Sequence, residues 1–349
     1  MYRKCLDQNA SADVFLRKVY ANVSINFHHN TDLTQFLASC TELGGIVSRE
    51  VVSHQVVDPN KVVSIQDSSK YNVRKATDEM VSSITGICES SNGELVIADN
   101  DNKCVKLLDN AYNLLEQMQL RTFPKSMCNI STNEVALTIS NGYTVNKIHF
   151  LRVIKGRIVN FKTLHMNDLC YGIAYHQGDL FVSSETAVYQ FTTDGRLVKT
   201  FYEDMSLDSA IVGIGVRPDG KSIYVTDNTG KLLTLTRDGA VTATLKDPAF
   251  KPPFDNIPNL QVAATGQVFV LGKQSVSQVD TDGKKVLNTI QLDMPNPSSV
   301  YFNEGTGKMI VAFEKNKTSM SSKKGFLTFQ RIPIITNKFV SENYSALTC

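Results

Sequence analysis

The sequence contains no tryptophan, no Cys-x-x-Cys pair and no hydrophobic run near the length of a membrane span. Each absence removes a class of protein. A spanning helix needs about 18 or more consecutive apolar residues, and the start, MYRKCLDQNASADVF, lacks the apolar stretch of a secretory signal. The expectation is a cytoplasmic chain with no membrane role. The seven cysteines (Cys5, Cys40, Cys88, Cys104, Cys128, Cys170 and Cys349) are odd in number and widely spread, which favours reduced thiols over a disulfide framework or a zinc site. The Asn-x-Ser/Thr sites at Asn9, Asn22, Asn129, Asn316 and Asn343 are then expected to stay unmodified. An excess of one charge is also missing: 36 Lys and Arg face 34 Asp and Glu, a formal +2, which does not call for an acidic partner. With 42% hydrophobic and 20% charged residues, the 349-residue chain can bury a full core.

The stretch VIADNDNKCVKLLD, 96 to 109, sets Asp99, Asn100, Asp101 and Asn102 between two apolar runs. A calcium loop of the D-x-[DN]-x-[DN]-G type fails here, because positions five, six and twelve counted from Asp99 are Lys103, Cys104 and Asn110. The flanking runs are short and rich in β-branched residues, as strands are. YVTDNTGKLLTLTR, 224 to 237, echoes the stretch 128 residues later and matches Asp99 with Asp227, Asn100 with Asn228 and Lys103 with Lys231. That offset is three units of about 43 residues.

Glycine turns mark the same period. Gly93, Gly178, Gly220, Gly266 and Gly307 are separated by 85, 42, 46 and 41 residues, and Gly195, Gly239 and Gly283 by 44 and 44. Asn-Gly and Asp-Gly turns between alternating apolar runs make hairpins, because these residues accept positive φ at little cost. Two hairpins per unit give four strands, and four-stranded units of 40 to 45 residues are β-propeller blades. The expectation is an all-β, six-bladed propeller over residues 62–332, with inner strands starting near 84, 126, 169, 211, 259 and 298. The sixth unit has only three strands of its own, so the stretch from Lys70 to Ala76 is expected to close the ring as its outer strand. Residues 1–61, with Leu33, Phe36, Leu37 and Cys40 at helical spacing, read as helical segments and a linker. Residues 333–349 read as a tail.

CLDQNASADVFL…DLTQFLASC, ITGICESSNGELVIADNDNKCVKLLD, YGIAYHQGDLFVSSETAVYQFTTDGRLVKTFYED and VRPDGKSIYVTDNTGKLLTLTRDGAV together resemble the C-terminal part of tripartite-motif (TRIM) proteins that end in a six-bladed NHL-type propeller. The first of these is similar to the end of that family's coiled coil. The resemblance implies a module that recruits a protein partner or ubiquitination substrate, with an RNA-binding propeller as the alternative and dimerisation only through an upstream coiled coil. The zinc-binding RING of such ligases needs Cys-x-x-Cys pairs. None is present, so ligase activity is not expected of these residues. The chain is expected to be either part of a longer protein or a product without ligase capacity.

The propeller fold does not choose a function. On one face the expected contact residues are Asp99, Asn100, Lys103, Arg121, Lys125, Asp227, Asn228, Lys231, Lys315, Lys317, Lys323 and Lys324. That face as a whole carries ten cations to eleven anions, too balanced for phosphate-driven binding. The loop EKNKTSMSSKK, 314 to 324, is locally basic, with five lysines to one Glu once Lys308 at the preceding turn is included; a solvated loop is its plainer reading. An enzyme with an axial metal would need His, Asp, Glu or Asn side chains arriving from several inner strands. The candidates are few: Glu89, Asn129 and Asp168 lie on or near inner strands, and none repeats from blade to blade. His149 and His165 fall in the outer half of the second unit and His176 at a hairpin turn. No cofactor and no metal are expected. Cys88 and Cys128 read as small core residues in the same layer.

Overall fold

The computed structural model describes residues 58–65, 67–204, 210–253, 258–303, 306–313 and 326–331. The chain divides into two compact units, Met1–Gln55 and Val56–Cys349, and all the described residues belong to the second. The helices expected before residue 58 and the tail expected after 332 lie outside the described residues.

The elements are almost all strands. After β1 (Asp67–Asn72), the first sheet holds β2 (Ile84–Glu89), β3 (Leu95–Asp99), β4 (Cys104–Leu108) and β5 (Leu114–Gln119). The second holds β6 (Pro124–Ser131), β7 (Glu134–Ser140), β8 (Asn146–Ile154) and β9 (Arg157–His165). The third is β10 (Ile173–His176), β11 (Asp179–Ser183), β12 (Ala187–Thr192) and β13 (Leu197–Glu203), and the fourth β14 (Ile211–Val216), β15 (Ser222–Asp227), β16 (Lys231–Thr236) and β17 (Val241–Lys246). A short 3₁₀ turn at Pro248–Phe250 leads to β18 (Leu260–Val262), β19 (Val268–Leu271), β20 (Ser275–Val279) and β21 (Val286–Gln291). The last sheet combines β22 (Pro297–Asn303), β23 (Lys308–Phe313) and β24 (Phe326–Arg331) with β1. Among the described residues there are six four-stranded sheets, five of them meanders in chain order and the last completed by β1, and their inner strands β2, β6, β10, β14, β18 and β22 touch one another in ring order, the architecture of a β-propeller.

Six apolar clusters lie at the seams, one between each pair of neighbouring sheets. Middle strands are covered on both faces, so β3 and β4, LVIAD and CVKLL, are buried at every position. Outer strands such as β17 alternate instead, because one face meets solvent.

The inner strands need small residues and hydroxyls. The second position of β2, β6, β14 and β22 (Thr85, Lys125, Val212 and Ser298) falls at a register shift in the ladder with the next strand. A bulge leaves backbone groups unpaired, and hydroxyls take them up. Thr138 Oγ1 accepts from Ser126 N and donates to Tyr171 O of the third sheet at 2.6 Å. Ser183 Oγ accepts from Gly172 N and donates to Val212 O of the fourth at 2.9 Å. Thr226 Oγ1 donates to Asn259 Oδ1 of the fifth at 2.6 Å. In the first and last sheets the bulge residue itself supplies the hydroxyl: Thr85 Oγ1 donates to Pro124 O and Ser298 Oγ to Ile84 O. Their second strands then carry Ala98 and Ala312 at the corresponding place. Gly172 and Gly213 make room for these hydroxyls: a Cβ on Gly172 would stand 2.7 Å from Val212 O, and one on Gly213 would overlap Thr226 Oγ1.

The ring closes between β1 and β24, antiparallel, with Ser69 opposite Phe329. The closing strand runs from Asp67 to Asn72, about three residues earlier than Lys70 to Ala76. The chain leaves the sheet at Asn72 because its side-chain oxygen accepts from Arg74 N at 3.0 Å, a local turn. Residues expected to be linker are also anchored here. Gln278 of β20 accepts from Val63 N and donates to Lys61 O, both at 2.8 Å, so this segment runs along the fifth sheet.

Gly213→Ala should lower unfolding stability by about 1–3 kcal/mol, the usual range for overpacking, measured by chemical denaturation.

Candidate functional site

Blade loops give the ring two faces. One carries the second-to-third-strand loops and the crossings from each outer strand to the next inner strand. The other carries the remaining hairpin turns.

On the first face, Asp99 ends β3 and is fully buried. Its Oδ2 lies 2.7 Å from Lys106 Nζ, and its Oδ1 accepts from Ser83 N at 3.1 Å. Lys106 sits in the middle of β4 with no exposure, and Asp78 Oδ2 stands a further 2.7 Å from its Nζ. Ser82 Oγ and Val73 O complete the cage at 3.2 and 3.1 Å. Three of these partners, Val73, Asp78 and Ser82, come from the crossing that carries the chain from β1 to β2. Burial alone would lower the Lys106 pKa; the Asp99 charge and the hydrogen bonds to Asp78 and Asp99 outweigh it and hold the pKa above the ordinary lysine value. In neighbouring Cys104, burial, reinforced by Asp99, pushes the thiol up to about 12.

Asp99 is therefore a structural ion and not a surface contact. Asp227, its counterpart in the fourth sheet, is also buried, yet it is used differently. Its Oδ1 accepts from Thr229 N and Lys231 N at 2.9 Å each, and its Oδ2 stands 3.3 Å from Lys231 Nζ. Asp204 lies 3.6 Å from the same ammonium. The two asparagines keep equivalent places: Asn100 N donates to Ser83 O and Asn228 N to Ala210 O, in each case the residue just before the inner strand. Their side chains face inward as well, Asn100 Nδ2 on Pro124 O at 2.7 Å and Asn228 Oδ1 on Ala210 N at 3.0 Å.

What remains at the surface is two lysines and an aromatic ring, with Asp101 as the acidic neighbour. Lys103, in the left-handed region at φ 50, holds its Nζ 4.7 Å from the centre of the half-buried Phe123 ring, and Lys125 Nζ lies 5.9 Å from the same ring. Arg121 is exposed two residues before Phe123. Burial pulls the Lys125 pKa below the ordinary lysine value, with Asp101 opposing. The structure thus brings Lys103 and Lys125 to one ring, with Arg121 exposed two residues before it, and sets Asp227, Asn228 and Lys231 apart as a self-paired loop three sheets away. Lys315, Lys317, Lys323 and Lys324 lie outside the described residues.

Around the axis the inner strands leave a cavity of ≈ 50 Å³, lined by Thr85, Ser126, Ser299 and Gln261 as well as Gly86, Met127 and Val300. Asn129 and Asp168 are exposed. Glu89 turns to the opposite face, where Tyr301 and Asn303 bind it. No three His, Cys, Asp or Glu side chains come together as a metal site among the described residues. His149, in β8, has its pKa drawn down to about 4 by burial and Lys147; His176 Nε2 pairs with Pro218 O at a sheet seam. No helix among the described residues is long and apolar enough to cross a membrane.

The buried Lys106 cluster was visible in sequence only as a lysine interrupting the apolar run CVKLL. A lysine inside a strand covered on both faces demands a buried counter-charge.

The geometry defines a β-propeller, and solved structures bear on the fold alone. The chain is similar to virginiamycin B lyase from Staphylococcus aureus, at 14% identity and a TM-score of 0.51, over 76% of this chain and 99% of that one. Streptogramin B lyase gives 12% identity and 0.52 over 76% and 98%, and luciferin-regenerating enzyme 11% and 0.54 over 76% and 95%. No family model matches the sequence, and no curated protein does.

The ionisable groups predict an alkaline limit. Lys106 has a raised pKa, so its stabilisation is complete below the unfolded value of about 10.4 and is lost as pH rises through the folded one. Cys104, Cys128 and Cys170 keep their protons to about 12 in the fold, whereas unfolded thiols release them near ~8.5. The folded state then binds more protons than the unfolded one, and stability falls with rising pH. Urea midpoints between pH 7 and 11 should hold steady to about 8.5 and then decline.

Proposed function

We propose that this propeller is a non-catalytic recognition module that binds a protein partner through the face bearing the second-to-third-strand loops. The proposal extends to its context: the substrate-recruiting end of a TRIM-type ubiquitin ligase, which the blade sequences resemble.

One observation carries the reading. Lys103 and Lys125 both hold their ammonium groups near Phe123, Arg121 is exposed two residues before that ring, and the nearby carboxylate of Asp99 is withdrawn into the Lys106 cage. An aromatic ring with adjacent cations is the composition of interface anchors, which favour aromatic residues and arginine. The partner chemistry that fits is an acidic segment with an apolar residue to set against Phe123. The lyase names among the structural neighbours belong to those proteins, and identities of 11 to 14% support a shared fold only.

The test compares affinity capture by wild type, by Lys103→Glu/Arg121→Glu/Lys125→Glu, and by Lys155→Glu/Lys284→Glu as a control outside that cluster. Partners retained by the control and reduced at least about tenfold by the triple variant, a loss of about 1.4 kcal/mol, are expected. Equal capture by all three contradicts the reading. A titration with single-stranded RNA at two salt concentrations decides the nucleic-acid alternative: salt-sensitive binding lost in the triple variant would replace the protein reading with an RNA one.

A further inference from the structure

The opposite face carries a second polar site at the seam between the last and first sheets, a cleft of ≈ 160 Å³. Glu89, at the end of β2, forms one wall. Its Oε2 accepts from Tyr301 Oη at 3.0 Å and from Asn303 Nδ2 at 2.6 Å, both on β22. Its Oε1 takes no hydrogen bond among the described residues. Burial, reinforced by Glu89, pushes the Tyr301 phenol well above its ordinary pKa, so it stays a donor and fixes the carboxylate's orientation. Lys308, the first residue of β23, forms the other wall, its Nζ 5.5 Å from the Tyr112 ring centre. It makes no ion pair among the described residues. Asn110 and Asn303 line the same cleft.

Two opposite charges thus line one small cleft without meeting each other. Each is held by its own partners, the carboxylate by two donors and the ammonium by an aromatic face. A cleft this small is below the size that takes a drug-sized ligand. Leu95 and Ile310 add apolar wall.

We propose that this cleft binds a small zwitterion of the α-amino-acid type, its ammonium on Glu89 Oε1 and its carboxylate on Lys308 Nζ. Such a ligand supplies both missing counter-charges at once. A simple amine or a simple carboxylate supplies one and leaves the other wall unpaired. The site is separate from the proposed protein-binding face and does not depend on that reading.

Isothermal titration and ligand-observed NMR with L-alanine, L-serine and L-glutamine, against ethylamine and acetate as one-ended probes, test the proposal. At least one amino acid should bind about tenfold more tightly than either one-ended probe. Glu89→Gln and Lys308→Met should each weaken it by about tenfold or more, the effect of losing one charge-assisted hydrogen bond. Lys308→Met leaves the Glu89 hydrogen bonds untouched and serves as the second variant if Glu89→Gln lowers the melting temperature. No saturation by any of the three amino acids at about 10 mM, a concentration that would detect even millimolar affinity, overturns the proposal. So does ethylamine binding as tightly as the best amino acid, or affinity unchanged in Lys308→Met.

Discussion

A lysine with no exposure, held at 2.7 Å by each of two equally buried aspartates, is the interaction on which the closure of this ring depends. Lys106 and Asp99 belong to the first sheet. Asp78 belongs to the crossing that arrives from the strand completing the last sheet. The cage therefore joins the two ends of the propeller at one atom. As a source of net stability such a cluster is weak, because desolvating the ions offsets most of their attraction. Breaking it is another matter, since Lys106 removed leaves two carboxylates in a dry seam. Its contribution is then to placement: the crossing that carries Asp78 to the lysine is the same one that leads on from β1, which pairs with β24.

The rest of the ring follows from the same need to satisfy polar groups between covered sheets. Bulges at the start of inner strands free backbone donors and acceptors, and a hydroxyl from Thr85, Thr138, Ser183, Thr226 or Ser298 passes each load to the next sheet. The hydroxyl comes from the bulge residue or from the facing second strand, with alanine at the second-strand place in the first case. This exchange keeps those five seams close while satisfying the carbonyls it reaches. It also fixes the loops at either end of each strand, so the side chains on both faces stand on a rigid frame.

The hairpin period and the turn glycines placed most strands within a few residues, because each turn needs positive φ and glycine supplies it at Gly93, Gly195 and Gly239, among others. The equivalence of Asp99 with Asp227 and of Asn100 with Asn228 was likewise legible, and the backbone bonds of the two asparagines repeat. What those aspartates do was not legible. Asp227 serves its own loop, whereas Asp99 serves Lys106, and the difference is set by a crossing that no local pattern connects to β4. The positioning of Phe123 between Lys103 and Lys125 was hidden for the same reason: it depends on where one sheet's loop meets the next sheet's first strand. Local periodicity reports which face a residue occupies within its own strand. It does not report the neighbour that arrives from elsewhere in the chain.

Native-state hydrogen exchange on wild type and on Lys106→Met tests the closure most directly. In wild type the amides of β1 that face β24 should exchange as slowly as those of the inner strands. Lys106→Met should cost about 3–5 kcal/mol, as loss of one partner of a buried ion pair does, with β1 and residues 73–83 losing protection before the other sheets. A uniform loss across all six sheets, or β1 amides that exchange freely in wild type, would contradict a ring held shut at Lys106.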